Sequence, residues 1–353
     1  MFRGIRLKQL SLYIGDWNSR DGVSFLKSLG LPPELEVLTV KHLYCTSGLL
    51  EVLLPALPRL RTLQLPHADL STQQDLDALL AATQLTSLRL KSVNCLTESR
   101  AERACSWQRL EVTGTLDYIS AAYLPLHSLT QPLLVPKLRF SNWRGADQEH
   151  DKCRDYEDRG DVSEVVAAAV HNLTQACRVP VKIKVLHLGI DSIHVSTPPP
   201  EWARQVNKAG PLLSLVRPLA GCLEKVVFFK MYGLRSADGP AMARLCKGCT
   251  ALEFCAGNMC PSLKFWSKLV QIMPTVSRVM FRRVYGCSSV AMFKALKQLG
   301  KERWAQHLAV TILPHHDELL REYRVERAEC RASNRLYSRA VPGRFRVWFR
   351  VEQ

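Results

Sequence analysis

Long apolar runs are missing from this 353-residue chain. No stretch reaches the ~18 consecutive apolar residues that a membrane-spanning helix requires. The N-terminal MFRGIRLKQLSLYIGDW also lacks the apolar centre of a secretory signal. Local catalytic signatures are missing too: there is no Gly-rich phosphate loop, no HExxH and no GxSxG. Neither a catalytic residue nor a cofactor is therefore expected. Acidic residues are scarce beside basic ones, 32 Asp and Glu against 48 Lys and Arg, which gives a formal net charge of +16. That imbalance favours an acidic partner, whether protein, nucleic acid or anionic surface, without choosing among them. The 12 cysteines fall at uneven spacing, as buried reduced thiols do, so an intracellular address in cytoplasm or nucleus is expected.

What the chain does have is a recurrent leucine spacing. LRTLQLPHADL at residues 60–70 matches neither a helix nor a strand throughout, and its spacing returns in LEVLTVKHLYC at 35–45 and LTSLRLKSVNC at 85–95. Apolar residues at relative positions one, four and six also occur as Leu7/Leu10/Leu12 and Trp107/Leu110/Val112. Weaker copies are Val135/Leu138/Phe140, Ile183/Leu186/Leu188, Leu223/Val226/Phe228, Cys249/Leu252/Phe254 and Val276/Val279/Phe281, with a further trace at Val310 and Ile312. Most steps between copies are 22 to 28 residues, and steps of 48 and 40 mark insertions. Positions four and six alternate as a short strand does, pointing two side chains to one face, and position one joins them from the preceding bend. Position eleven turns back into the same core.

Between these strands lie SRDGVSFLKSLG, TSGLLEVLLPALP, STQQDLDALLAA, DGPAMARLCKGC and SSVAMFKALKQLG. Several open with Ser, Thr or Asp before good helix formers, and some end near Gly or Pro, as capped helices do. One strand, one turn and one helix per repeat predict an α/β fold: a curved solenoid with a parallel sheet on the concave face and helices on the convex face.

On these residues the chain resembles the leucine-rich repeat superfamily, in its ribonuclease-inhibitor-like or F-box-associated branch, over roughly residues 5–313. The family usually places Asn or Cys at position nine, where the side chain satisfies backbone groups in the bend. Here that position holds Leu43, Ala68 and Val93. The predicted organisation is an array over residues 1–313, interrupted at 142–161, followed by a cap or basic tail over 314–353. The interruption, NWRGADQEHDKCRDYEDRGD, carries seven acids and four bases with almost no aliphatic side chains, and is expected to be a solvated mobile insertion. DVSEVVAAAVHNLTQAC then reads as a helix, on which the glycosylation-like NLT at Asn172 is a chance match. STPPPEW, around residues 196–202, is a second break. In the tail, RFRVWFRVE alternates Arg344, Arg346 and Arg350 with apolar residues, as a strand capping the last repeat or as a basic arm.

Two clusters with metal-like composition are read as structural. Cys246, Cys249, Cys255 and Cys260 form C-x2-C-x5-C-x4-C, but Cys249 fills a core slot and Cys255 follows the inward Phe254, so four thiolates do not converge. His315 and His316 are adjacent and point apart. No metal is expected. The positions between the core residues supply a basic row instead: Arg61, Arg89, Lys91, Arg109, Lys137, Arg139, Lys184, Lys225, Arg278 and Arg282. With strands about 4.8 Å apart, Arg89, Arg109 and Arg139 are expected to stack as a like-charge ladder, costly unless an acidic ligand meets it.

The leading functional expectation is a non-catalytic protein-interaction module that holds an acidic protein on its concave face. Nucleic-acid or anionic-surface binding through the basic row and the Arg/aromatic tail is one alternative. The substrate-reading part of an F-box ubiquitin ligase adaptor without its F-box is another.

Overall fold

The computed structural model describes residues 7–14, 19–43, 52–53, 55–70, 73–93, 105–140, 162–189, 209–229, 238–255, 275–282, 309–313, 337–338 and 346–349. The chain forms two compact units, Met1–Arg139 with Glu164–Lys184, and Phe140–Ser163 with Val185–Gln353. The charged stretch at 142–161, STPPPEW, His315, His316, and the helices expected in TSGLLEVLLPALP and SSVAMFKALKQLG lie wholly or largely outside the described residues.

The first unit is built on β1 (Gln9–Tyr13), β2 (Val37–Lys41), β3 (Thr62–Leu70), β4 (Ser87–Val93), β5 (Arg109–Val112), β6 (Thr115–Asp117) and β7 (Leu133–Phe140). Helices α1 (Ser19–Leu29), α2 (Gln73–Ala81), α3 (Tyr118–Tyr123) and α4 (Val162–His171) lie between strands in sequence. The strand order is β1-β2-β3-β4-β6-β7, with β5 paired to β4 beside this path, and these pairings are parallel. The repeat spacing sets the register directly. Leu10 pairs with Leu38, Leu38 with Leu63, Leu63 with Leu88 and Leu88 with Leu110, each position four against the next. Position six follows, with Leu12 against Val40, Leu65 against Leu90, and Leu90 against Val112. Leu35, Leu38, Leu60, Leu63 and Leu85 are fully buried, so each leucine stacks on its equivalent in a continuous apolar row. Leu70, at position eleven, is buried as well.

The bends are held by backbone rather than by asparagine. At position two, the Lys8 carbonyl accepts the N–H groups of Glu36 and Val37, Glu36 those of Arg61 and Thr62, and Arg61 those of Thr86 and Ser87. Thr86 does the same for Gln108 and Arg109. Hydroxyls reinforce this rail: Thr86 donates to the Arg61 carbonyl at 3.2 Å, Ser106 to Leu85 at 3.0 Å and Ser128 to Trp107 at 2.8 Å. At position nine, Leu43, Ala68 and Val93 are all buried. Strands β2, β3, β4 and β5 thus each start from a shared carbonyl that satisfies two donors.

The fifth repeat contains a strand the spacing did not predict. After Val112 the chain donates from Thr113 N to the Leu90 carbonyl and from Gly114 N to the Lys91 carbonyl, then forms β6, whose Leu116 is fully buried. A Cβ at Gly114 would lie 2.8 Å from the Lys91 oxygen, so the step needs glycine. As a result Lys137, Leu138 and Arg139 of β7 pair with Thr115, Leu116 and Asp117, not with β5. Asp117 also caps α3, accepting from Ser120 N at 2.6 Å. Asn172, at the π turn Asn172–Ala176 that ends α4, donates both amide hydrogens at 2.7 Å, to the carbonyls of Ala121 and Leu124. It is only 9% exposed, so NLT marks a buried clamp.

β8 (Val181–Gly189) is divided: Val181–Lys184 count with the first unit and Val185–Gly189 with the second. The second unit adds α5 (Ala209–Val216), β9 (Leu223–Phe229), α6 (Gly239–Leu245), β10 (Ala251–Cys255), β11 (Arg278–Arg282), β12 (Ala309–Leu313), β13 (Tyr337–Ser338) and β14 (Arg346–Phe349). Larger side chains fill the same slots here. Leu252 pairs with Val226 and Val279, and Phe254 with Phe228, whose ring it stacks on at 5.2 Å. Val310 and Ile312 extend these rows, and β14 adds to β12 in parallel, placing Val347 against Val310 and Phe349 against Ile312. The alternating RFRVWFRVE is thus part of the sheet over Arg346–Phe349, and β13 closes antiparallel on it. Gly189, at φ +149, lies so close to β9 that a Cβ would sit 1.6 Å from the Phe229 oxygen.

Two substitutions test these constraints by urea denaturation. Asn172→Leu strands two buried carbonyls and is expected to cost about 2–3 kcal/mol. Gly189→Ala forces backbone apart and is expected to cost more than about 2 kcal/mol. Wild-type midpoints in both would contradict this packing.

Candidate binding face

Because positions four and six point into the core, positions three, five and seven must present the opposite face of the sheet. In the first unit the register aligns these into rows. Position three runs Gln9, Val37, Thr62, Ser87, Arg109, and position five runs Ser11, Thr39, Gln64, Arg89, Glu111. Arg89 therefore stands beside Glu111, and Arg109 lies one row away. The like-charge ladder expected for Arg89, Arg109 and Arg139 is not formed, because Glu111 and not Arg109 occupies position five of its repeat, and Arg139 is paired through β6.

Acids interleave the cations instead. Glu111 bridges two arginines, with one carboxylate oxygen 3.0 Å from Arg89 Nε and the other 3.0 Å from an Arg109 terminal nitrogen. Lys91 Nζ is 3.3 Å from Asp69. Arg139 is in register with Asp117, and partial burial pulls its guanidinium below the ordinary arginine value while the Asp117 charge opposes that pull. Counting Lys41, Arg89, Lys91, Arg109, Lys137 and Arg139 against Asp69, Glu111 and Asp117, this face carries six cations and three carboxylates. It remains basic, with carboxylates set among the cations. Arg61 belongs elsewhere: it lies in the position-two rail, exposed, where it and Lys8 act on Glu36. The Lys8 ammonium, 3.0 Å away, is the main cause holding the Glu36 carboxyl below its ordinary value.

At the ends of β1 and β2 and within β3, an aromatic strip crosses the face. Tyr13, 69% exposed, has its ring 4.6 Å from His42, and His42 stacks on His67 at 4.6 Å and 21°. His42 holds φ +63, a left-handed backbone that a non-glycine residue rarely adopts. Partial burial, then the charges of His42, Lys91 and Arg89, keep the His67 imidazole below its usual pKa. Spacing alone named His67 as a surface position but gave no sign of this stack, which depends on the turn at His42 and on the register shift between Leu65 and Asp69. Pro66 lies at that shift, and its carbonyl accepts from the Thr113 hydroxyl at 2.8 Å.

In the second unit the equivalent face is largely withdrawn from solvent. His187, Val227 and Glu253, all at position five, are 7%, 7% and 8% exposed. His187 lies 5.3 Å from the Phe229 ring, and Lys225 is ion-paired with Glu253. Lys184 and Arg278 are exposed, and Arg282 is described only as backbone of β11. Arg89, Lys91, Arg109, Lys137 and Arg139 come together in the first unit, Lys225 is engaged in a pair, and Arg61 sits at the strand starts.

Cys246 and Cys249 are both buried, and a hydrogen bond with Cys249 and burial push the Cys246 thiol well up. Among the described residues no group of three or more His, Cys, Asp or Glu side chains is placed to hold a metal ion, and no helix is long and apolar enough to cross a membrane. Compared with known proteins, the chain matches no family model and no curated sequence.

Burial separates the two kinds of ion pair. Glu111→Gln removes half-exposed pairs and is expected to change the urea stability by less than about 1 kcal/mol. Glu253→Gln leaves the Lys225 charge without its partner in a poorly solvated site and is expected to cost about 2 kcal/mol. Equal effects would contradict this division.

Proposed function

We propose that this chain is a non-catalytic, leucine-rich-repeat-like interaction module, with repeats following the family's curved array, and that the first unit's sheet face binds an acidic protein segment. The observation that carries this reading is the half-exposed face with six cations and three carboxylates, in register across neighbouring strands. Its excess of positive charge favours an acidic partner by complementarity. Its interspersed carboxylates argue for a protein over nucleic acid: a uniform polyanion would meet Glu111, Asp69 and Asp117, whereas a protein segment can place an occasional cation there.

The test is binding of an Asp/Glu-rich peptide to the full chain at physiological salt, with a single-stranded oligonucleotide as comparator. A Lys91→Glu, Arg109→Glu, Lys137→Glu variant, shown to be folded by circular dichroism, is expected to lose at least about tenfold in peptide affinity. Glu111→Gln, which relieves two arginines of their partner, is expected to tighten the peptide by roughly threefold. Unchanged affinity in both variants would overturn the assignment of this face, and preferential, steeply salt-dependent oligonucleotide binding would transfer it to nucleic acid.

A further inference from the structure

The Tyr13, His42, His67 strip differs in kind from the rest of the face. Three rings from three successive repeats stand in line here, beside Lys41 of β2 and Arg89 and Lys91 of β4. Of the acids beside the strip, Asp69 of β3 is bound to Lys91 and Glu111 of β5 to Arg89. A left-handed residue at His42 is a conformational cost met by packing its ring between Tyr13 and His67. Two imidazoles held face to face beside lysine and arginine make a locally positive, planar surface next to a widely exposed tyrosine.

We propose that this strip is the anchor of the binding face, receiving a carboxylate of the acidic protein segment against the His42 and His67 imidazoles and Lys91 while the segment lies over the Tyr13 ring. The inference rests on the reading of the face given above and adds its point of recognition and a chemical linkage. Without ligand, partial burial and then neighbouring positive charge disfavour a proton on His67. A bound carboxylate reverses that local field, so His67 takes up a proton on binding. The sign follows from linkage: the bound state holds more protons than the free state, so affinity rises as pH falls through the interval between the lowered free pKa and the raised bound one. One proton limits the effect to about tenfold per pH unit.

The full chain should be titrated with an Asp/Glu-rich peptide at pH 7.5 and 6.0, where the peptide stays ionised, alongside imidazole resonances followed by NMR. Wild type is expected to bind about fivefold to tenfold more tightly at pH 6.0, with the His67 titration moving to higher pH when peptide is present. His67→Gln is expected to hold the pH effect under about twofold. His42→Gly, which suits the left-handed backbone and removes only the ring, should weaken binding at both pH values. Peptide binding that is equally pH-dependent in wild type and His67→Gln would overturn this inference and leave the face assignment standing. Absence of peptide binding at either pH would overturn both, and an oligonucleotide that shows the same His67 dependence while the peptide does not would overturn the choice of a protein carboxylate.

Discussion

Leucine against leucine across parallel strands is the constraint on which the first unit depends. Leu38, Leu63, Leu88 and Leu110 occupy one continuous row, and a shift of one residue in any strand would turn its row outward. Fixing the inward row also fixes the outward one, so the placement of Arg89 beside Glu111 follows from the burial of Leu90 beside Val112. The carbonyl rail at position two locks the same register from the strand starts. Packing and surface chemistry are therefore one decision made by the sequence.

This dependence explains which features were legible in advance. The slots at positions one, four and six were legible because burial needs apolar side chains at fixed intervals, and Leu35, Leu60 and Leu85 fill them as the spacing requires. Helices α1, α2 and α6 were legible from capping residues and composition. β6 was not, because a three-residue strand after Gly114 leaves no periodic signal, and missing it misplaced Arg139 beside the wrong neighbour. The pairing of Arg89 with Glu111 was available from register arithmetic, since both hold position five.

Other features needed three dimensions. The hydroxyls of Thr86, Ser106 and Ser128 look like ordinary loop residues in sequence, yet they bond the carbonyls of the preceding repeat at the strand starts. His187 and Glu253 hold positions that are half-exposed in the first unit, but are buried in the second, where Val227 and Phe229 stand among them. The His42–His67 stack depends on one left-handed residue and one register shift, neither of which has a spacing signature.

The account makes the first unit's sheet face the place where an acidic protein meets the chain, and lysine reactivity reads this most directly. Acetylation of surface lysines in the full chain should be mapped with and without a saturating Asp/Glu-rich peptide. The account predicts that Lys41, Lys91 and Lys137 become protected while Lys182 and Lys247, exposed outside this face, keep their reactivity. Protection confined to Lys182 and Lys247, with Lys41, Lys91 and Lys137 unchanged, would contradict it.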